Sequence, residues 1–153
     1  GGQADHLPGS ALLFPLAIKA KKDGQAIMRT ILSINEEKQS MIFAGNMPEG
    51  ASAQLMKANF DRLIDGAGVA AEQSLVSLKD SKPELALLIS CVGRKLILNQ
   101  RTDEEVEAVA ESLGGDPYIT GFYSYGEIAP FFDEVKCELH NQTMTITTIS
   151  EID

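Results

Sequence analysis

The chain is short of positive charge, of long apolar runs and of cysteine, and each shortage excludes something. Lys and Arg number 13 against 22 Asp and Glu, for a formal net charge of -9. That balance argues against nucleic acid and against anionic membrane surfaces as partners, and no stripe of basic residues interleaved with aromatics relieves it. No segment is long and apolar enough to cross a bilayer as a helix. The two cysteines, Cys91 and Cys137, have no close spacing, so they form neither a metal knuckle nor a redox motif. Both sit in apolar runs and read as buried free thiols, which fits a reducing cytoplasm. Catalytic signatures are missing too. The glycines around Ser124 do not make G-x-S-x-G, and no phosphate loop of the G-x-x-x-x-G-K type occurs.

What is present is one domain's worth of ordinary globular sequence. Its 153 residues are 44% hydrophobic and 23% charged, enough to bury a proper core. Residues 1–9 lack the charged start and apolar middle of a signal peptide. They read as a disordered lead, with Gly1-Gly2 as a cloning remnant, ahead of a single domain over residues 10–153. His6 falls in that lead and takes no role.

Residues 11–19 are an apolar run in which Pro15 suggests an edge or a bulge. Asp23-Gly24 reads as a turn. Over residues 27–34 the set Met28, Thr30, Leu32 and Ile34 is mostly apolar, so Arg29 points away from that face. With a third strand over residues 40–44, the start reads as an antiparallel meander. Ser52 is a candidate helix cap, followed by an apolar stripe from Met56 through Phe60, Leu63, Ile64 and Ala67 to Leu78, which Gly66 and Gly68 weaken or break. Residues 85–92 are continuously apolar, as in a central strand, and Gly93-Arg94 ends it. Residues 95–99 fit strand or helix equally. Thr102 and Glu105 match a capping box, Val106, Val109 and Leu113 supply an apolar face, and Gly114 terminates the helix. Residues 118–125 read as a strand. In the tail, Val135, Cys137 and Leu139 have one parity, and Met144 and Ile146 have the other. A strand keeps its parity, so a turn or bulge must intervene at His140-Asn141-Gln142, displaying that polar triplet at a kink. The fold expected is α+β, a largely antiparallel or mixed β-sheet with two main α-helices packed on one face. A parallel arrangement around residues 85–92 is the alternative.

The densest chemistry lies in residues 121–130, Gly-Phe-Tyr-Ser-Tyr-Gly-Glu-Ile-Ala-Pro, and 139–145, Leu-His-Asn-Gln-Thr-Met-Thr. Tyrosines, a glutamate, a histidine and amide and hydroxyl groups stand among glycines that admit close backbone approach. This stretch resembles the signature of the C-terminal half of the FIST sensory family. The segment Leu-Ile-Ser-Cys-Val-Gly-Arg at 88–94, the helix at 102–114 and the turn Asn-Met-Pro-Glu-Gly at 46–50 extend the likeness from about Ser10 to Glu151. The resemblance implies a prokaryotic domain that binds small ligands, amino acids among them. It also implies signalling partners such as a chemoreceptor, a histidine kinase or a cyclic-dinucleotide enzyme, and a FIST N-terminal half elsewhere in the parent protein.

The candidate ligand-binding residues are Arg94, Tyr123, Tyr125, Glu127, His140 and Asn141. Arg94 offers a fork for a carboxylate, or else makes a structural salt bridge. Glu127 accepts from an ammonium, or else is a solvated or Arg94-paired carboxylate. Tyr123 and Tyr125 share a strand parity and would face one side. If Arg94 and Glu127 converge, the ligand is a zwitterion. No cofactor is required. The alternative is a haem held by His140, since some family members are regarded as haem-dependent nitric-oxide sensors. The third reading is a hydrolase using Cys91 or Ser124.

Overall fold

A computed structural model describes residues 9–19, 25–78, 81–130 and 136–151. The expected lead up to residue 8, with His6, the Asp23-Gly24 turn and Val135 all lie outside these.

A 3-10 turn over Gly9–Leu13 leads into β1 (Leu16–Lys19), which is flanked antiparallel by β2 (Ile27–Arg29) and β5 (Ser52–Leu55). Pro15 therefore precedes a central strand instead of marking an edge. It costs the ladder no N–H, and its carbonyl accepts from the Met56 amide. The run at 27–34 is not one strand. Its chain passes to β3 (Ile31–Asn35), which forms a separate hairpin with β4 (Ser40–Phe43). The meander is thus divided between two sheets at Thr30. There the backbone N–H goes to the Asn141 side chain and the carbonyl to the Ala44 amide. β5 replaces the helix start expected at Ser52. The helix α1 (Phe60–Leu75) begins later, capped by Asn59, whose side chain accepts from the Arg62 amide at 2.9 Å.

The second half is built on β6 (Leu85–Cys91), the centre of a mixed sheet with β10 (Met144–Ile149) antiparallel on one side and β7 (Tyr118–Ser124) parallel on the other. Both the α+β expectation and its parallel alternative around residues 85–92 are met in this sheet. The strand ends at Cys91, and the undecided segment after it is α2 (Val92–Leu98), with Gly93 and Arg94 in its first turn. Then α3 (Thr102–Leu113) runs to Gly114, whose φ of +60° stops it. A short antiparallel pair, β8 (Glu127–Pro130) with β9 (Cys137–His140), is the remaining ladder among the described residues.

The main helices α1 and α3 pack against each other and cover one face of the β10–β6–β7 sheet. Ala67 and Ala71 of α1 meet Ala86 and Leu88 of β6 and Val109 and Leu113 of α3, with Met144 and Ile146 beside them. Gly66 and Gly68 do not break α1. A Cβ at Gly68 would sit 3.0 Å from the Ser112 hydroxyl of α3, so the missing side chain lets the two helices approach. The capping box at Thr102 does not form. The Thr102 hydroxyl donates to the Asn99 carbonyl, and Glu105 turns inward to Arg94. Among the described residues, no helix is long and apolar enough to cross a membrane.

Candidate functional site

The parity flip in the tail is real, but the triplet is buried rather than displayed. His140, Asn141 and Gln142 are 8%, 1% and 7% exposed. Gln142, not Asn141, takes the left-handed conformation, at φ +56°. This turn connects β9 to β10, which belong to different sheets, and its polar groups reach all over the chain. The Asn141 side chain accepts from the Thr30 amide at 3.3 Å and donates to the His140 carbonyl at 3.0 Å. The Gln142 side chain donates to the Leu12 carbonyl at 3.0 Å. The Thr143 carbonyl accepts from the Cys91 amide, and the Thr143 hydroxyl donates to Glu127 at 2.7 Å. His140 Nε2 lies 3.0 Å from the Ala129 carbonyl. Buried polar groups must be satisfied, and here they satisfy one another across the fold.

The six residues singled out from the sequence are not gathered in one pocket. Arg94 is 4% exposed. It pairs with the fully buried Glu105 through Nε, and its other nitrogens donate to the Leu63 carbonyl at 2.6 Å and, at 3.4 Å, to the Gln142 carbonyl. Glu127, 2% exposed, receives the Ser124 hydroxyl on one oxygen at 2.6 Å and Thr143 on the other. Of the two, Arg94 lines a cavity of about 310 Å³ with His140, and Glu127 is not among its lining residues. The structural salt bridge that the sequence left open for Arg94 forms with Glu105. Tyr123 lies under Lys95, whose Nζ is 4.7 Å from the ring centre, while Tyr125 lies beyond the end of β7 and is 88% exposed. The two rings line different cavities, so the shared wall expected from their parity is absent.

Sequence reasoning missed the charged pair that does face one cavity. Arg29, 5% exposed, donates to the carbonyls of Asn46, Met28 and Leu139 at 3.0, 3.0 and 2.9 Å. Among the described residues its Nη2 has no hydrogen-bond partner and no carboxylate pairs with it. Burial pulls its pKa down, and the nearby Glu138 carboxylate pulls it back. Arg29 and Glu138 both line a cavity of about 370 Å³, with Asn46 and Pro48 on its wall and Ile18, Ile27 and Leu139 giving it an apolar side. Glu138 gives one oxygen to the exposed Lys136, and that ammonium holds its carboxyl below the usual range. The one sequence signal was the alternation that set Arg29 apart from its strand's apolar set.

The thiol reading can be weighed in the same terms. Burial pushes the Cys91 thiol above the ordinary range, which disfavours the thiolate a nucleophile needs. The Ser124 hydroxyl lies 2.6 Å from a Glu127 carboxylate oxygen, to which it donates. Cys137, by contrast, is exposed. Iodoacetamide at pH 8 should therefore modify Cys137 well before Cys91, as read by peptide mass mapping. The neutral Cys91 thiol also contributes stability that is complete below the unfolded thiol pKa of about 8.5 and is lost as pH rises through the higher folded value. Cys91→Ala should flatten that alkaline fall in urea titrations.

A mixed α+β domain, with ligand-sized cavities around a buried polar turn and no group of metal-ligating side chains among the described residues, is the class these observations define. The chain belongs to the FIST C domain family, which it matches over residues 1–130, and FIST C is a domain of the FIST sensory family. The match ends before β9 and β10, short of the likeness read to Glu151. No curated protein and no solved structure matches the chain.

Proposed function

We propose that this FIST C domain is the ligand-binding part of a signal-transduction sensor, and that its ligand is an amino acid or a similar zwitterionic metabolite. The observation that carries the reading is the cavity shared by Arg29 and Glu138. The buried guanidinium hydrogen-bonds only to neutral carbonyls and feels the Glu138 carboxylate across the cavity without pairing with it, so a ligand carboxylate would give it a direct charged partner. Glu138 faces the same space and suits the ammonium. The volume falls within the roughly 300–1,000 Å³ of small-molecule clefts. The zwitterion expected from Arg94 and Glu127 is thus kept, with a different pair holding it. Arg94 and Glu127 serve the packing around the turn.

The domain acts without catalysis, in the cytoplasm, and passes its state to a chemoreceptor, a histidine kinase or a cyclic-dinucleotide enzyme through a parent that carries a FIST N-terminal half. A haem on His140 is the weaker reading, since its Nε2 is engaged by the Ala129 carbonyl and the adjoining cavity is lined by the buried Arg94.

Calorimetry with the standard α-amino acids tests this. At least one should bind, and Glu138→Gln should weaken it by about 1.5–3 kcal/mol, the worth of a charge-assisted hydrogen bond. Binding of the matching carboxylate that lacks the ammonium should be weaker from the start and little changed by Glu138→Gln. An absence of binding by every amino acid, or binding that ignores Glu138→Gln, would sink the proposal. A Soret band lost in His140→Ala would favour haem, and ester turnover lost in Cys91→Ala a hydrolase.

A further inference from the structure

We propose that a second cavity, of about 230 Å³ and bounded by Leu12, Thr30, Leu32, Cys91, Leu96 and Tyr125, binds a small uncharged molecule that is mainly apolar and presents one hydrogen-bonding oxygen to Thr30. Thr30 is 6% exposed, and its hydroxyl is enclosed with no hydrogen-bond partner among the described residues, so a turn about its Cα–Cβ bond would bring it to the ligand. A buried hydroxyl left in that state is costly, and native structures rarely tolerate one without a reason. The Asn141 side chain beside it is already spent on the Thr30 amide and on the His140 and Ala44 carbonyls, so it closes the cavity without competing for the hydroxyl.

The rest of the lining sets the ligand's character. No Lys, Arg, Asp, Glu or His contributes to it, so a charged molecule would enter without a counter-charge. Cys91, kept protonated by its burial, is part of that neutral wall. Leu32 and Leu96 stand more than half exposed at the rim, where an apolar occupant would cover them. An apolar protein cavity of about 150 Å³ takes up benzene. This one has room for a single ring with a short oxygen-bearing substituent. It is distinct from the zwitterion cavity, since the two share no lining residue.

Benzyl alcohol and toluene, which differ by the one oxygen, are the probes, with benzoate as the charged control. Methyl NMR of Leu12, Ile31, Leu32 and Leu96 should shift with the first two and not with benzoate, and benzyl alcohol should slow alkylation of Cys91 but not of Cys137. Thr30→Val should weaken benzyl alcohol roughly three- to tenfold, the worth of one neutral hydrogen bond, and leave toluene unchanged. It should hold or raise the melting temperature, because an unpartnered hydroxyl has gone. Gly93→Ala is the second variant. Its added methyl meets Leu12, Cys91 and Gln142 at ordinary contact distances of 3.5–3.6 Å, so the fold should accept it while both probes bind more weakly. Three results would each overturn the proposal: no shift of these methyls with either probe, equal binding of benzyl alcohol by Thr30→Val, or a melting temperature lowered by Thr30→Val, which would mark a hydroxyl satisfied by ordered water.

Discussion

Glu105→Ala should bring the domain to the edge of unfolding. The substitution leaves the Arg94 guanidinium buried without its counter-charge and frees the Ser90 hydroxyl, which donates to the other Glu105 oxygen at 3.2 Å. Breaking a buried pair from one side costs about 3–5 kcal/mol, because the surviving charge stays desolvated. A domain of this size has only about 5–15 kcal/mol to lose. Urea unfolding should show the midpoint collapse with the slope little changed. Replacing both partners, Arg94→Met with Glu105→Leu, should recover much of the loss, since an apolar pair of similar volume leaves no orphan charge. Recovery would be incomplete, because the Leu63 and Gln142 carbonyls lose their donor. A Glu105→Ala protein within about 1 kcal/mol of the parent, the worth of an exposed pair, would mean that the pair is not buried in solution.

The second large effect is expected at Gly121, in the middle of β7. Its φ is ordinary, so the constraint is space. A Cβ placed there would lie 1.9 Å from the carbonyl oxygen of Leu88, its neighbour on β6. The obstacle is backbone, so no rotamer change relieves it, and β7 must move away from β6. Overpacking of flexible side chains costs about 1–3 kcal/mol, and a backbone clash in a ladder belongs above that range. Gly121→Ala should therefore lower the melting temperature sharply and raise amide exchange along residues 118–124. A control at Gly66, where an added Cβ meets nothing within 4 Å, should hold or gain stability, as glycine-to-alanine changes in helices do. Equal melting temperatures for Gly121→Ala and wild type would refute the close approach of β7.

The sequence showed most where a local pattern had no rival. The continuous apolar run of β6, the apolar face and glycine stop of α3, and the parity flip after His140 could all be read without tertiary knowledge. What stayed hidden depended on partners distant in the chain. Glu105 fits a capping box with Thr102, and nothing local reveals that Arg94 will claim it. The break at Thr30 carries no glycine or proline. It exists because Asn141 takes the Thr30 amide from the far end of the chain. β5 is exposed along its whole length, and its four residues, Ser-Ala-Gln-Leu, are too short and too weakly apolar a run to stand out against the helical stripe that begins at Met56. Arg29 and Glu138 meet only through the folded arrangement of β2 and β9. Glu127 is buried, so it is not the solvated carboxylate the sequence allowed, and its two oxygens are taken by the Ser124 and Thr143 hydroxyls.

The placement of the turn at 140–143 also bears on how the domain comes into being during synthesis. Its amide and carbonyl groups reach Leu12 and Thr30 early in the chain and Cys91 and Arg94 in the middle. A ribosome adding about 5–20 residues per second delivers the early strands seconds before these partners exist. Until then β6 has no β10 beside it, Glu127 has no Thr143, and the Thr30 amide ahead of the β3–β4 hairpin has no Asn141. Folding of this domain is therefore a late event, in which one short segment arrives last and locks three separately made regions together. A nascent chain halted before residue 136 would be the form most in need of a chaperone.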